Sequence, residues 1–313
     1  MSETAEITAQ SVCAGGAGQA WRIRFGTAGE SESFAAQGYK TSLDIPAYTA
    51  GMGLSAFEYQ CGRGVRLGLD KAAKMAAAAR EKDILFSVHA PYFISMSSME
   101  EEKRLRSIDY LLQSCAAVKA LGGRRVIFHT GSCGKQSREA ALEKALDTMR
   151  RAVEACDAAG YGDLTLCPET MGKIGQLGTL DEVLALCAVD PRITPCIDFG
   201  HLNARTLGGI ASKADYAAIL DRMVEALRDE RARRFHVHFS RIEFTAGGEK
   251  RHWTFAETQF GPEPLPLLEL LAERKLAPVI ICESAGTQAE DAAWMQARWR
   301  ALSGAEESAR EQA

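Results

Sequence analysis

Residues 124–131 read RRVIFHTG, a short apolar run that stops at a histidine and is followed by a threonine and a glycine. Similar runs recur along the chain, and successive runs begin roughly 30–45 residues apart, which is the length of one strand, one loop and one helix. We predict eight strands at residues 21–25, 56–60, 84–89, 125–129, 164–169, 194–198, 235–239 and 279–283.

The segments between these runs favour helices. In residues 103–121, for example, apolar side chains recur at a spacing close to 3.6 residues. Alternating strands and helices indicate a parallel sheet with helices outside it. Eight such units favour closure into a barrel over an open doubly wound sheet, and no GxGxxG motif follows the first run. We therefore expect an α/β fold, a single-domain (β/α)₈ TIM barrel over residues 21–302, with a flexible leader at 1–20 and a frayed tail at 303–313.

The composition is that of a soluble globular protein. Of 313 residues, 46% are hydrophobic and 25% are charged. The net charge of −4 argues against a basic nucleic-acid-binding domain, but a chain with this net charge can still have a local positive groove. The nine cysteines include no CxxC pair, which favours buried thiols in a reducing compartment. No secretory signal pattern and no 18-residue apolar stretch occur, so we expect a cytoplasmic protein with no membrane contact. Nothing in the sequence implies an obligate protein partner.

Polar residues able to bind metals end most of the predicted strands. The carboxyl ends of barrel strands meet at one face, where active sites form. The third to eighth strands deliver His89, His129, Glu169, Asp198, His236 and Glu283, and His201 and His252 lie in the following segments. Imidazole and carboxylate ligands without thiolates suit Zn²⁺, Mn²⁺ or Fe²⁺. The set exceeds the needs of one ion and predicts a multi-metal site, in which two ions about 3.5–4 Å apart clamp a transferring phosphoryl group.

Each of these residues also has a structural interpretation. A single strand-end histidine is often only hydrogen-bonded, and Asp198 alone suits a turn cap. His238 lies on the same strand face as His236, because residues i and i+2 point the same way, and we expect it to support His236 rather than to bind metal. The prediction of a metal centre rests on the whole set.

Six motifs occur in an order that resembles a known family. They are FSVHAPYFISMSS (86–98), VIFHTGS (126–132), LCPETMGKIGQLGT (166–179), CIDFGHLNA (196–204), FHVHFS (235–240) and VIICES (279–284). Together they resemble endonuclease IV, the family-2 apurinic/apyrimidinic endonucleases within the xylose-isomerase-like TIM barrels. The resemblance implies two or three Zn²⁺ ions, with Mn²⁺ as a possible substitute.

The resemblance also assigns ligands to each ion. It implies that the first ion binds His89, His129 and Glu169, and that Glu169 bridges to a second ion held by Asp198, His236 and Glu283. A third ion would take His201 and His252, with Glu249 as a possible ligand. The implied activity is hydrolysis of the phosphodiester 5′ to an abasic site in DNA, with Glu169 and Glu283 as catalytic residues.

The residues expected to contact the substrate match the family pattern less closely than the expected metal ligands do. Tyr92 matches a tyrosine that enters the DNA, and Arg63 follows the second strand at a place suited to a DNA contact. Arg251 lies beside Trp253 in the long 240–262 connection, where a cation next to an aromatic ring suits a phosphate and a splayed nucleotide. We expect Tyr92, Arg63 and Arg251 to bind substrate.

Some residues depart from the family pattern and keep alternatives open. Glu249 stands three residues before His252, where the family has an aspartate two before, and the family's HLND becomes HVHF. The same metal core occurs in sugar isomerases and epimerases, which the acidic net charge favours, whereas the histidine pair His89 and His129 favours the nuclease. A non-catalytic metal-binding or DNA-scaffold protein is the third possibility.

Overall fold

The computed structural model describes residues 22–311 of the chain. Within them, eight parallel strands form one sheet and two further strands form an antiparallel hairpin. The strands are β1 Arg24–Ala28, β2 Ala56–Gln60, β3 Leu85–His89, β4 Arg125–Phe128, β5 Thr165–Pro168, β6 Cys196–Asp198, β7 His236–Phe239, β8 Arg241–Thr245, β9 Gly248–Trp253 and β10 Val279–Cys282. β8 and β9 are the hairpin.

The parallel sheet is a nearly closed barrel. Its strand order is β5-β4-β3-β2-β1-β10-β7-β6, and the two outer strands approach each other at a parallel bridge between Glu169 and Cys196. At that bridge the Thr170 N–H donates a 3.0 Å hydrogen bond to the Cys196 carbonyl. The predicted fold class, a (β/α)₈ TIM barrel in a single domain, is confirmed.

Helices surround the barrel on the outside. They are α1 Glu32–Ala36, α2 Ile45–Gly51, α3 Leu69–Glu81, α4 Glu101–Ala120, α5 Arg138–Ala158, α6 Leu180–Cys187, α7 Phe199–Arg205, α8 Lys213–Leu227, α9 Pro264–Glu273 and α10 Gln288–Glu311, with short 3₁₀ turns at Ser42–Asp44 and Glu230–Ala232. Buried apolar residues such as Leu111 and Met149 pack these helices against the sheet. This packing is the main hydrophobic core.

One predicted strand begins three residues later than expected. We placed the first strand at residues 21–25, but β1 runs over Arg24–Ala28. It continues through Gly26, where a Cβ atom would lie 2.1 Å from the Ala56 carbonyl oxygen. The absence of a side chain lets β1 approach β2 closely, which a prediction based on large apolar residues does not detect.

The chain ends were predicted as a leader and a tail. The leader, residues 1–20, lies outside the described residues. α10 continues to Glu311, so the backbone is helical over most of the segment predicted as a frayed tail, and the domain bounds stay a prediction. No helix in the described part is long and apolar enough to span a membrane. The eight cysteines at residues 22–311 are free and buried.

Candidate metal centre

Three groups of potential metal ligands lie at the carboxyl ends of the barrel strands. Within each group the ligand atoms are no more than 4.8 Å apart. Group A is His89, His129 and Glu169, group B is Glu169, Asp198, His238 and Glu283, and group C is His201, Glu249 and His252. They line or underlie a cavity of about 590 Å³. The strand-end residues predicted from the sequence therefore do converge, with one exception described below.

Glu169 is the centre of this arrangement. Its Oε2 atom lies 3.2 Å from Nε2 of His89 and 3.3 Å from Nε2 of His129. Its Oε1 atom lies 3.1 Å from Nδ1 of His238 and 3.1 Å from Nδ1 of His201. Burial opposes ionisation, but the surrounding histidines, His238 first among them, hold the pKa of Glu169 well below its usual range. The ionised carboxylate would therefore be available to hold metal in both group A and group B.

Group A combines residues from β3, β4 and β5. Nδ1 of His89 contacts the Ala90 carbonyl oxygen at 2.9 Å, which leaves Nε2 directed at Glu169. The ring of His129 packs edge-on against that of His89, with centroids 5.0 Å apart. Burial lowers the pKa of His129, which favours the neutral form that binds metals.

Group B has features that suit a cation. Asp198 caps α7, because its Oδ1 atom accepts a 2.6 Å hydrogen bond from the His201 N–H. Its Oδ2 atom is buried and has no hydrogen bond within residues 22–311, although Nδ1 of His201 lies 3.1 Å away. Burial raises the pKa of Glu283 to about 7, and the nearby charge of Glu169 adds to that rise. A buried carboxylate oxygen that lacks a hydrogen bond and lies among other carboxylates is typical of a metal site.

Group C joins α7 to the β8–β9 hairpin. Nε2 of His201 lies 3.4 Å from Oε2 of Glu249, and Nε2 of His252 lies 3.9 Å from Oε1 of the same carboxylate. Nδ1 of His201 contacts the Thr170 carbonyl at 3.0 Å, and Nδ1 of His252 contacts Ser240 Oγ at 2.8 Å. Both rings therefore present Nε2, as ligands held by an outer partner do. The spacing of three residues between Glu249 and His252 does not keep them apart.

Gly172 makes room for group C. A Cβ atom there would lie 2.6 Å from Cβ of Glu249 and 2.8 Å from Cδ2 of His201. The Glu249 N–H also donates a hydrogen bond to the Gly172 carbonyl at 3.1 Å, which ties the hairpin to the loop after β5. The glycine-rich segment that follows Glu169 thus lets the hairpin approach the mouth.

His236 is the expected ligand that the structure does not bring to these three groups. It is the first residue of β7 and is fully buried, with Nε2 3.0 Å from Oε2 of Glu58 and Nδ1 3.4 Å from Nη1 of Arg125. His238 takes the place in group B that we expected for His236. Both side chains point into the barrel, and the one two residues further along the strand lies closer to the mouth.

Glu58 was not among the residues expected from the sequence. It occupies the centre of β2 and is fully buried, and its carboxylate makes close ion-pair contacts with Nε2 of His236 and Nε2 of His238, neither of which has a hydrogen bond within the described residues. The available signal was a carboxylate in the short strand AFEYQ at an inward-facing position. A charged residue there needs a buried partner.

The three residues expected to bind substrate differ in whether they line the cavity. Tyr92 lines the cavity, is 58% exposed, and lies with its ring centroid 5.3 Å from that of His129. Arg63 is exposed after β2 but does not line the cavity. Arg251 is paired with Glu243 at 2.7 Å, lies over the Trp253 ring and does not line the cavity.

Other polar residues line the cavity that the sequence analysis did not single out. Lys173, Gln60 and Gln176 contribute to its wall. Within residues 22–311, Lys173 has no carboxylate partner. A cation that is free of ion pairs can bind an anionic group of a substrate.

The donor set fits divalent metals. Groups A, B and C contain only imidazole and carboxylate ligands, which suit Zn²⁺ or Mn²⁺. A further buried cluster of Cys196, His236 and His238 exists, but burial raises the pKa of the Cys196 thiol well above its usual value, which opposes the thiolate form that binds metals. The clusters at the mouth can therefore hold divalent ions.

Comparisons with known proteins agree with this picture. The family model described as xylose isomerase-like TIM barrel matches residues 46–301. The chain is 33% identical over 233 residues to an uncharacterized protein of Methanocaldococcus jannaschii, a match that covers 74% of this chain and 83% of that protein. It is 27% identical over 144 residues to a probable endonuclease 4 of Malacoplasma penetrans, which covers 43% of this chain and about half, 47%, of that relative. The predicted resemblance to endonuclease IV is confirmed.

Solved structures of two enzyme types share the fold. A D-tagatose 3-epimerase-like protein superposes with a TM-score of 0.67 at 17% identity, covering 91% of this chain and 99% of the other. Endonuclease IV from Thermus thermophilus superposes with a TM-score of 0.64 at 20% identity, covering 89% and 98%. At these identities the likeness extends to the fold alone, and it does not distinguish the two activities.

Proposed function

We propose that this chain, which belongs to the xylose isomerase-like TIM barrel family, is a metal-dependent endonuclease that hydrolyses the phosphodiester 5′ to abasic sites in DNA. The observation that supports this best is the convergence of three ligand groups, A, B and C, around Glu169. An isomerase that uses one or two ions would leave part of this set without a role. A phosphodiesterase has a use for each ion, at the attacking oxygen, the leaving oxygen and the phosphate.

The chain's own residues would hold zinc, or manganese, in all three groups. Bound there, the metal would supply Lewis-acid activation of water and charge neutralisation at the phosphate. Glu283, which lines the cavity, would accept the proton of the attacking water, and Glu169, whose carboxylate lies within 4.8 Å of the other ligand atoms of group B, would orient that water. His89 and His201 contact backbone carbonyls through Nδ1, which would hold their Nε2 atoms in place to bind metal without reorganisation.

The residues at the rim of the cavity support the proposal of an anionic substrate with an exposed sugar. The half-exposed ring of Tyr92 provides a face against which a deoxyribose or a base can pack. Lys173 offers a cation to a phosphate, and Gln60 and Gln176 offer amide donors and acceptors to the nucleotide. Arg63, exposed next to the same mouth, would contact the DNA backbone at a greater distance from the reacting phosphate.

A sugar isomerase or epimerase is the second candidate. Group B alone offers four ligands, enough for one ion that polarises a ketose or aldose. Under this alternative, group A and group C would carry no catalytic ion, and the cavity of about 590 Å³ would enclose a single small carbohydrate.

The proposal is tested by incision of a labelled duplex with one abasic-site analogue, using the full-length protein with its metal content measured. An undamaged duplex, a chelator-treated sample and the Glu169→Gln variant serve as controls. The proposal expects cleavage 5′ to the analogue that chelator and Glu169→Gln both abolish. A metal-loaded protein that leaves the duplex intact but converts a ketose or aldose would overturn the nuclease in favour of the second candidate.

A further inference from the structure

A carboxylate lies inside the barrel below the metal centre. Glu58, in the middle of β2, is fully buried. The interior of a TIM barrel is normally filled by layers of bulky apolar side chains. Burying a charge there is costly unless it is paired and hydrogen-bonded. The partners of Glu58 therefore show what the charge is placed to do.

Both carboxylate oxygens of Glu58 have two polar neighbours. Oε2 accepts a 2.9 Å hydrogen bond from Ser87 Oγ and lies 3.0 Å from Nε2 of His236. Oε1 accepts a 3.3 Å hydrogen bond from Gln60 Nε2 and lies 2.9 Å from Nε2 of His238. These neighbours come from β2, β3 and β7, so the carboxylate cannot rotate without losing contacts on several strands.

The same network is anchored from below. Nη1 of Arg125 lies 3.4 Å from Nδ1 of His236 and donates a 2.9 Å hydrogen bond to the Phe235 carbonyl. Arg125 is itself buried. A continuous line of contacts thus runs up the barrel interior from Arg125 through His236 to Glu58, and from there to His238.

His238 faces the metal centre in the opposite sense to its neighbours. His89 and His201 hold backbone carbonyls with Nδ1 and present Nε2. His238 directs Nε2 to Glu58 and presents Nδ1, which lies 3.1 Å from Oε1 of Glu169 and 3.5 Å from Oε1 of Glu283. A carboxylate on the far nitrogen of a metal-binding imidazole fixes the ring and its tautomer and strengthens the ligand.

We propose that Glu58 is a positioning residue of the metal centre, which holds the ring of His238 by Nε2 so that Nδ1 faces the ion site of group B. His236, Ser87 and Gln60 hold the carboxylate of Glu58 in place for this purpose. The proposal rests on the metal centre that the proposed function requires, but it does not depend on the substrate.

The test replaces Glu58 by its isosteric amide and measures metal binding without substrate. Glu58→Gln keeps the volume but substitutes an amide nitrogen, which cannot accept a hydrogen bond, for one carboxylate oxygen. We expect about 10–100-fold weaker binding of one ion per chain, with the other ions unaffected. Competition with a chromophoric chelator measures the Zn²⁺ affinities, and the visible absorption of the Co²⁺-loaded protein reports whether the geometry of one site changes.

The matched control is Glu182→Gln, a second buried glutamate that lies outside the three groups and pairs with Arg138. It should lower thermal stability but leave the Zn²⁺ affinities and the Co²⁺ spectrum unchanged. If Glu58→Gln lowers stability in the same way and also leaves both metal readouts unchanged, Glu58 only stabilises the fold and the proposal is wrong.

A second variant keeps the test decisive if Glu58→Gln does not fold. The double variant Glu58→Met with His236→Leu replaces the buried polar pair by apolar side chains, an exchange that proteins often tolerate without loss of stability. We expect the same loss of affinity for one ion, and wild-type affinity for every ion would overturn the proposal. A wild-type chain that binds three ions but does not cut abasic DNA would instead refute the proposed function and leave Glu58 unaffected.

Discussion

The two sides of the barrel mouth position their candidate metal ligands differently. On the side formed by β3, β4 and β5, each strand ends in one polar residue or is directly followed by one, and Nε2 of His89 and Nε2 of His129 lie 3.2 and 3.3 Å from the same oxygen of Glu169. On the side formed by β7, β8 and β9, one strand carries two histidines, His236 and His238, and further ligands come from a hairpin.

This difference shows that residue type identifies a ligand only where a strand offers a single candidate. On β7 the two histidines face the same way and differ in depth by two residues. The deeper one, His236, meets Glu58 and Arg125, and the shallower one, His238, meets Glu169 and Glu283. Depth along the barrel axis therefore separates the candidate metal ligand His238 from His236, which contacts the network around Glu58.

Glu169 is shared by both sides, so its replacement should have the largest effect. Glu169→Gln removes the charge that contacts histidines of groups A, B and C. We expect activity to fall by roughly 10³-fold or more while the fold largely persists. Incision kinetics and circular dichroism of the same preparation measure both, and wild-type activity in the variant would contradict the bridging role.

The two histidines of β7 provide the sharpest test of the comparison. His238→Ala should abolish binding of one ion and lower activity about 100-fold or more, whereas His236→Ala should lower activity only about 10-fold through the network. Metal content per chain, measured alongside incision rate, separates the two. The reverse order of effects would restore the assignment expected from the sequence.

Group C tests whether the hairpin contributes to the chemistry. Glu249→Gln should weaken the ion shared with His201 and His252 about 10–100-fold and leave two ions per chain in place. Elemental analysis after limited dialysis against chelator measures the remaining metal. Three retained ions would show that Glu249 is not a ligand.

A smaller effect is expected at the cavity wall. Lys173→Ala should raise KM for abasic duplex several-fold with little change in kcat, and it should reduce the slope of log affinity against log salt by about 1. Lys82, exposed between α3 and β3 at the opposite end of the barrel, supplies the control variant Lys82→Ala. Equal KM values for the two variants would argue against a phosphate contact at Lys173.

The smallest effect concerns stability outside the metal centre. Glu182 completes a capping box with Thr179 and binds Arg138 at 2.7 Å. Burial opposes its ionisation, but Arg138 and the backbone N–H groups of Gly178 and Thr179 hold the pKa of Glu182 below its usual value. Its stabilisation is therefore present above the usual glutamate pKa and is lost as the pH falls through the lowered value.

Glu182→Gln should thus lower the free energy of unfolding by about 1 kcal/mol at neutral pH. The difference from wild type should shrink as the pH falls below the usual pKa of glutamate. Thermal or urea denaturation at the two pH values measures it, and a difference that grows on acidification would contradict the assigned sign.

The fold was predictable because each strand is short, apolar and regularly spaced. The first strand was placed too early, because the prediction relied on large apolar residues. β1 instead continues through Gly26, whose lack of a side chain leaves room for the Ala56 carbonyl. Most of the candidate site was also predictable, because strand ends must meet in a barrel. The network around Glu58, deeper in the barrel, was not predictable from the sequence. The role of Glu58 depends on its contacts with His236 and His238, which β7 places beside it inside the barrel.

The most direct test of the account is the number and position of bound ions, measured by anomalous diffraction at the zinc absorption edge from crystals of the zinc-loaded protein. Three anomalous peaks are expected, one each in groups A, B and C, with the Glu169 carboxylate between the first two and Nδ1 of His238 directed at the second. A single peak confined to group B would contradict it and favour a one-metal isomerase or epimerase.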